Sequence, residues 1–446
     1  MMQKVMAMTS IHHSRRTLMN CTQNEKLNQV TPHTLIVGVD IAKFKHVARA
    51  QDDRGKILGK ALVFTNTKEG FEAFFSWLEE MQHKHEKSDV LVGMEPTGHY
   101  WLNLAYTLKE RLVSFGVVNP LHVKRSKELD DNSPTKNDIK DARVIAQLIK
   151  DGRFSYPRLP MDEDAEIKAG ITIRNQIVGD LQVLQGRVHN WLDKYFPEFL
   201  TVFKDWSGKM ALATLEHIPL PGQLNQTIPE RVAEIWSTYG GVQRPSLKRI
   251  QRLQEAAARS VGLNVGLQMA QREIATNIKR YKMLKEELCA LEKELETLVL
   301  TLPGIAEMLT VPGVGMVTVI ELYSELGDIK NFKNPRQILK YAGLNLRESS
   351  SGKHKGQARI TKRGRAKLRA LLFRTVMPLV RHNRAFKALH QYYTTRQENP
   401  LRKKQSLIVL CGKLVRVLHT VGQKQCPFDE ERMIQDIPHL SLALKV

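Results

Sequence analysis

Apolar and polar positions along the chain change their period from one region to the next, and the changes predict its elements. Between residues 34 and about 151, short apolar runs at 34–39, 46–51, 60–65, 89–94 and 114–118 are bounded by breakers and rich in β-branched residues, which predicts strands. Asp53-Arg54-Gly55 supplies turn chemistry between the second and third runs. Asn66 with Glu69 makes a capping-box pattern ahead of an amphipathic helix over 71–81, and Pro96-Thr97-Gly98 leads into a second helix over about 100–112. Three strands, a helix, then alternating strands and helices describe an α/β domain.

The middle of the chain changes to helical period. Ile177, Leu181, Leu184, Val188, Trp191 and Tyr195 recur at intervals of 4, 3, 4, 3 and 4, and Leu284, Leu288, Leu291, Leu295 and Leu298 at 4, 3, 4 and 3. Both series predict coiled-coil seams, used either in an intramolecular hairpin or in dimerisation. Between them, residues 196–263 carry Pro219, Pro221, Pro229, Pro245 and Gly240-Gly241, which predicts a compact, mainly helical insertion. A further, mainly helical domain is predicted from about 301. Its Val311-Pro312-Gly313-Val314-Gly315 reads as the tight turn of a helix-hairpin-helix element, in which Gly313 and Gly315 let backbone N–H groups face a phosphate.

Four acids stand out against this frame. Asp40 and Glu95 each close an apolar strand, and Asp138 and Asp141 lie three residues apart on one face of a helical stretch. Three strands, a helix, then alternating strands and helices is the order of an RNase H-like domain, in which acids from the first and fourth strands and the last helix meet at one place. Singly, each fits a loop cap, a salt-bridge partner or a solvated helix face. Together, carboxylates converging from core elements suggest a hard, oxygen-liganded ion such as Mg²⁺, or Mn²⁺, and two such ions can clamp a phosphodiester.

Charge points to the partner. The formal net charge is +22 over 446 residues. Residues 352–425 hold nineteen Lys or Arg against one acid, Glu398, so this excess is concentrated on one segment. Such a balance predicts a polyanionic partner, nucleic acid before membrane, because no apolar run nears the roughly 20 residues that span a bilayer. The basic residues nearest the polar run Ser349-Ser350-Ser351 are Lys353, Lys355, Arg359, Lys362, Arg363, Arg365, Lys367 and Arg369. Read alone, that run is a flexible polar loop. Four cysteines without C-x-x-C spacing predict neither a zinc site nor a disulfide framework and fit a reducing cytoplasm.

The motifs Gly38-Val39-Asp40-Ile41-Ala42-Lys43, Glu95-Pro96-Thr97-Gly98-His99-Tyr100, Val118-Asn119-Pro120 and Lys136-Asn137-Asp138-Ile139-Lys140-Asp141-Ala142-Arg143 resemble the RuvC-like domain of the DEDD transposases of the insertion sequence 110 family. Tyr341-Ala342-Gly343-Leu344, Ser351-Gly352 and Ile360-Thr361-Lys362-Arg363-Gly364 with Leu368-Arg369 resemble that family's C-terminal domain. Leu346 stands where the family often has Pro, and Thr361 where it has Ser. The resemblance implies that Asp40, Glu95, Asp138 and Asp141 bind the metal and that Ser351 is the nucleophile, with Ser349 and Ser350 as neighbours one or two positions out of register. It further implies a structured bridge RNA that pairs with donor and target DNA, and a dimer or tetramer in which the two domains meet across protomers.

The expected organisation is a flexible basic tail (1–33), a RuvC-like catalytic domain (34–155), a helical coiled-coil region (156–300) with its insertion (196–263), a C-terminal transposase domain (301–430) and a tail (431–446). The expected activity is RNA-guided excision and integration of an insertion sequence through a covalent serine–DNA intermediate. The expected location is cytoplasmic, on the nucleoid. Two other readings remain: a RuvC-like nuclease in which water attacks, needing only the acids, and a non-catalytic nucleic-acid-binding scaffold.

Overall fold

The computed structural model describes residues 22–130, 137–347, 350–351, 354–355 and 359–434. The chain divides into two compact units, Met1–Pro160 and Met161–Val446.

The N-terminal unit is a mixed α/β sheet domain. Helix α1 (Gln23–Leu27) is followed by β1 (Thr34–Asp40), β2 (Lys45–Gln51) and β3 (Ile57–Thr65) as an antiparallel meander. Then come α2 (Lys68–Lys84), β4 (Asp89–Met94), α3 (Trp101–Glu110), β5 (Ser114–Val118), α4 (Pro120–Asp130), α5 (Asp138–Lys150) and β6 (Phe154–Ser155). The sheet order is β3-β2-β1-β4-β5-β6, with β4 parallel to β1 and β5 parallel to β4. β1 is central and covered on both faces, so it reads as a continuous apolar run. Leu35, Val37 and Val39 pack with Phe71, Phe74, Leu78, Leu104 and Leu108 from α2 and α3, while Ile36 points the other way, to Val144, Ile145 and Ile149 of α5.

Two glycines set how close α5 comes. Gly38 of β1 and Gly93 of β4 are register partners, which leaves a bare strip of sheet beneath the helix. A Cβ at Gly38 would lie 2.0 Å from the Ala142 carbonyl oxygen and 2.4 Å from the Ala146 nitrogen, and one at Gly93 would lie 2.1 Å from Ile149 Cγ1. Only glycine admits backbone-to-backbone contact of this kind.

Several local expectations shift. The N-cap of α2 is Thr67, whose hydroxyl accepts from Gly70 N at 3.2 Å, rather than Asn66. Asn66 instead donates its side-chain amide to the Lys43 carbonyl. β3 begins at Ile57, three residues early. Residues 22–33, expected in the basic tail, are ordered: a Thr22–Glu25 capping box starts α1, and Gln23 donates to the Asp151 carbonyl at 3.0 Å.

The C-terminal unit is mostly helical. Its axis is a hairpin of α6 (Glu163–Tyr195) and, after five short helices, α12 (Leu267–Leu300). The pair is antiparallel: Gly170 lies against Leu295, Arg174 Nε donates to Glu292 at 2.8 Å, and Trp191 Nε1 donates to the Ala270 carbonyl at 2.8 Å. The heptad seams therefore close on each other within one chain. The five short helices are α7 (Phe199–Val202), α8 (Lys209–His217), α9 (Pro221–Gln226), α10 (Pro229–Thr238) and α11 (Leu247–Ala258), and they form the insertion. They bury Phe196, Phe199, Trp206 and Trp236 against the tip of the hairpin.

The hairpin's other end belongs to a second core. Ile167, Ile171, Leu295 and Val299 pack with α13 (Ile305–Leu309), α14 (Met316–Leu326), α15 (Pro335–Ala342), α16 (Ala366–His382), α17 (Arg384–Thr395), α18 (Lys403–Lys424) and α19 (Glu430–Ile434). The domain boundary expected near 301 thus falls inside one unit, because the same two helices run through both cores. Arg174 ties this core from within, reaching Glu321 of α14 at 3.2 Å, and Glu321 also accepts from Arg374 of α16 at 2.6 Å. By length and composition α18 could cross a membrane. Here Leu410, Leu414 and Leu418 place its apolar face in the core.

Gly38→Ala forces α5 off the sheet, a backbone overpacking that costs about 1–3 kcal/mol or more. Urea unfolding followed by hydrogen exchange in 34–40 and 138–150 tests this: early loss of protection in both segments is expected, and wild-type protection would contradict the packing argument.

Candidate metal centre and nucleic-acid interface

Asp40 is the last residue of β1 and Glu95 directly follows β4. Because the two strands are parallel neighbours with Val39 opposite Met94, both acids leave the sheet at the same edge. Asp138 is the first residue of α5 and Asp141 lies one turn further on. Asn137 caps this helix, its side-chain oxygen accepting from Ile139 N at 3.0 Å. The seating of α5 on Gly38 brings its first turn to that edge of the sheet.

The electrostatics show Asp40 under the influence of the other three acids. Burial pushes the Asp40 carboxyl up to about 6 from an ordinary 3.8, and the charges of Asp141, Asp138 and Glu95 add to the effect. Burial also raises Glu95, with Asp141 contributing in the same direction. The counterweight is a residue that the sequence pattern did not single out. Lys127 of α4 places Nζ 2.5 Å from Asp141 Oδ2 and pulls both Asp40 and Glu95 downward. Lys127 has no signal in a motif; only the fold of α4 against α5 brings it here.

Among the described residues, no three acid, His or Cys side chains stand close enough to hold an ion as they are placed. The donor set nonetheless suits a hard dication. It consists of carboxylates, with Asp40 and Glu95 partly desolvated, crowded by like charge and offset in part by the Lys127 ammonium.

In the C-terminal unit Ser351 lies in a two-stranded ribbon, β7 (Ser350–Ser351) with β8 (His354–Lys355), where Ser351 is the register partner of His354. Ser349 and Lys353 lie outside the described residues. A second ribbon pairs Arg359 with Arg347. The basic residues that follow divide by role. Lys362, Arg363 and Lys367 are exposed. Arg365 is exposed too, yet reaches Glu325 at 3.3 Å and lies over the Tyr341 ring. Arg369 is turned inward, donating to the Ala342 carbonyl at 2.9 Å and to the Lys362 carbonyl at 3.4 Å, so it closes the loop and is a poor candidate for a phosphate contact. Gly313 has φ +93° in the turn between α13 and α14, and Gly315 is the N-cap of α14 with open space where a Cβ would be. Asn383 fixes this turn by donating to the Pro312 carbonyl at 3.1 Å.

An α/β domain with crowded acids at one sheet edge, joined to a basic helical unit, has the parts of a DNA-processing enzyme. Comparison with known proteins agrees over most of the chain. The DEDD transposase model of insertion sequence IS110 matches residues 37–197, and the model of the IS116/IS110/IS902 transposase family matches 298–391. The chain is 24% identical over 352 residues to the transposase for insertion sequence element IS1111A of Coxiella burnetii, covering 78% of each protein. It is 22% identical over 373 residues to the pilin gene-inverting protein of Moraxella bovis, covering 82% of this chain and 90% of that one. The chain belongs to the IS110 family of transposases.

In the metal-free protein Asp40 holds its proton more tightly folded than unfolded. Its contribution to stability is therefore present at low pH and is lost as the pH rises from about 4 to about 6. Asp40→Asn should be more stable than wild type at pH 7, with the advantage disappearing near pH 4, in urea titrations without divalent ions. A difference that does not change with pH would contradict the crowding.

Proposed function

We propose that the protein is an RNA-guided DNA recombinase that excises and integrates its insertion sequence by Mg²⁺-assisted strand cleavage through a covalent serine–DNA intermediate. The observation that supports this reading is the geometry of the sheet edge: Asp40 and Glu95 leave neighbouring parallel strands side by side, and the helix that carries Asp138 and Asp141 in its first turn is packed on those strands. A site so crowded with negative charge gains from a divalent cation. When bound, Mg²⁺ or Mn²⁺ supplies charge neutralisation at the scissile phosphate.

In this reading Asp40, Glu95, Asp138 and Asp141 hold the ion, and Ser351 Oγ attacks phosphorus. One P–O bond forms to the serine and one breaks to a deoxyribose oxygen, which departs as a hydroxyl with the proton that leaves Ser351. The reverse attack by a deoxyribose hydroxyl of a new strand restores the serine and the DNA backbone, so no bond energy is lost. A serine hydroxyl is a weak nucleophile at neutral pH, so deprotonation has to be assisted at the site. The likeness to a gene-inverting protein favours this conservative exchange over hydrolysis, since inversion requires that cut ends be rejoined. Lys355, Arg359, Lys362, Arg363, Arg365 and Lys367, with the Gly313–Gly315 turn, are proposed to hold nucleic-acid backbone. Sequence choice would rest with a structured RNA that pairs with donor and target DNA.

The experiment is expression from the natural element with its non-coding flanks, followed by sequencing of the RNA that copurifies. A discrete structured RNA from the flank is expected, and only heterogeneous cellular RNA, with the flank transcribed, would contradict guidance. With that RNA, Ser351→Ala should abolish both recombination and the covalent adduct, and Asp40→Ala should reduce recombination by orders of magnitude. Recombination at the wild-type rate in either variant sinks the role assigned to that residue.

A further inference from the structure

Among the described residues of the N-terminal unit, Phe44 is the one phenylalanine, tyrosine or tryptophan that is exposed. Its side chain is 71% exposed, whereas the other thirteen phenylalanines and all five tryptophans are buried or half-buried. It sits four residues after Asp40, in the turn that joins β1 to β2, so it leaves the sheet at the edge where Asp40 and Glu95 emerge.

The turn that carries it is fastened on both sides. Asn66 N donates to the Phe44 carbonyl at 2.9 Å, and the Asn66 side-chain amide donates to the Lys43 carbonyl at 3.3 Å. From beneath, His46 Nδ1 accepts from Ala42 N at 3.3 Å. The His46 ring is fully buried and packs edge-on against Phe64, with centroids 5.2 Å apart. Three backbone groups of the four-residue turn 41–44 are thus held and Ile41 is buried in the core, while the Phe44 ring faces water. Lys43 and Lys45 flank it as exposed cations, and Lys43 Nζ lies 4.9 Å from the ring centroid.

A lone exposed apolar side chain is ordinary on a protein surface, but here the backbone that carries it is hydrogen-bonded in place and cations stand on both sides of it in the chain. The neighbours identify the cover that suits it. Flanking lysines favour a polyanion, and a flat aromatic face between cations suits a nucleobase, whose stacking tolerates any base. We propose that Phe44 stacks on a base next to the phosphate that the acids act on, with Lys43 and Lys45 on the adjoining backbone. By taking a base out of its stack it would open the duplex at the cleavage step. This rests on the reading of the acids as the cleavage site and adds a positioning residue to it.

The test uses the full-length protein with its copurified RNA and DNA duplexes of the insertion-sequence end, carrying 5-iodouracil at positions around the cut. This base crosslinks to aromatic side chains on irradiation. Asp40→Asn protein, which leaves the DNA intact, should crosslink through a peptide containing Phe44 from one position beside the cut. In the Asp40-intact background, Phe44→Ala should cut duplex DNA about tenfold or more slowly, in keeping with the loss of one base–aromatic stack. Phe44→Trp should retain activity, and a mismatch at the cut step should rescue Phe44→Ala. Crosslinks that map only elsewhere, or wild-type cutting of the matched duplex by Phe44→Ala, would overturn the proposal. Because crosslinking needs no cleavage, a Phe44 crosslink with an Asp40→Asn protein that still cuts would overturn the role of the acids and leave the stacking standing.

Discussion

The N-terminal unit depends on the approach of α5 to the sheet. Gly38 and Gly93, side by side on parallel strands, leave the sheet bare beneath the helix, so that its backbone lies on Gly38 and its Ile145 and Ile149 side chains on Gly93. That contact does two things. It buries Val144, Ile145 and Ile149 against the sheet, and it brings the first turn of α5, with Asp138 and Asp141, to the edge where Asp40 and Glu95 emerge. Close packing stabilises the fold and concentrates negative charge at once. Asp40 registers that conflict as a carboxyl that resists ionisation.

Lys127 shows how the fold accommodates the conflict without an ion. Its ammonium on Asp141 offsets part of the repulsion, and it comes from a neighbouring helix rather than from either strand. A divalent cation would compete for the same carboxylate with twice the charge. The C-terminal unit handles charge differently: Arg174, Glu292, Glu321 and Arg374 pair off and join four helices, while Lys362, Arg363 and Lys367 stay exposed.

Much of this was legible in the sequence, because periodicity reports burial directly. The two heptad series marked α6 and α12, the β-branched runs marked the strands, and strand-ending acids marked the sheet edge. What stayed hidden depends on contacts between distant segments. Lys127 has no pattern of its own, and Arg174 meets Glu292 across 118 residues and Glu321 across 147. Periodicity could not decide whether the two seams pair with each other or with a second chain, since either buries the same leucines. Nor could it show that one hairpin serves two cores, which is why a boundary was expected near 301. Arg369 looked like its basic neighbours in sequence, but its direction is set by two carbonyls that only the folded loop presents.

The central claim is that the four acids form one site short of positive charge. Mn²⁺ binding to the full-length protein, read by electron paramagnetic resonance, tests it most directly. The account predicts saturable binding that is lost in Asp141→Asn and in Glu95→Gln and is retained in Ser351→Ala. Equal Mn²⁺ binding by the wild type and both acid variants would contradict it.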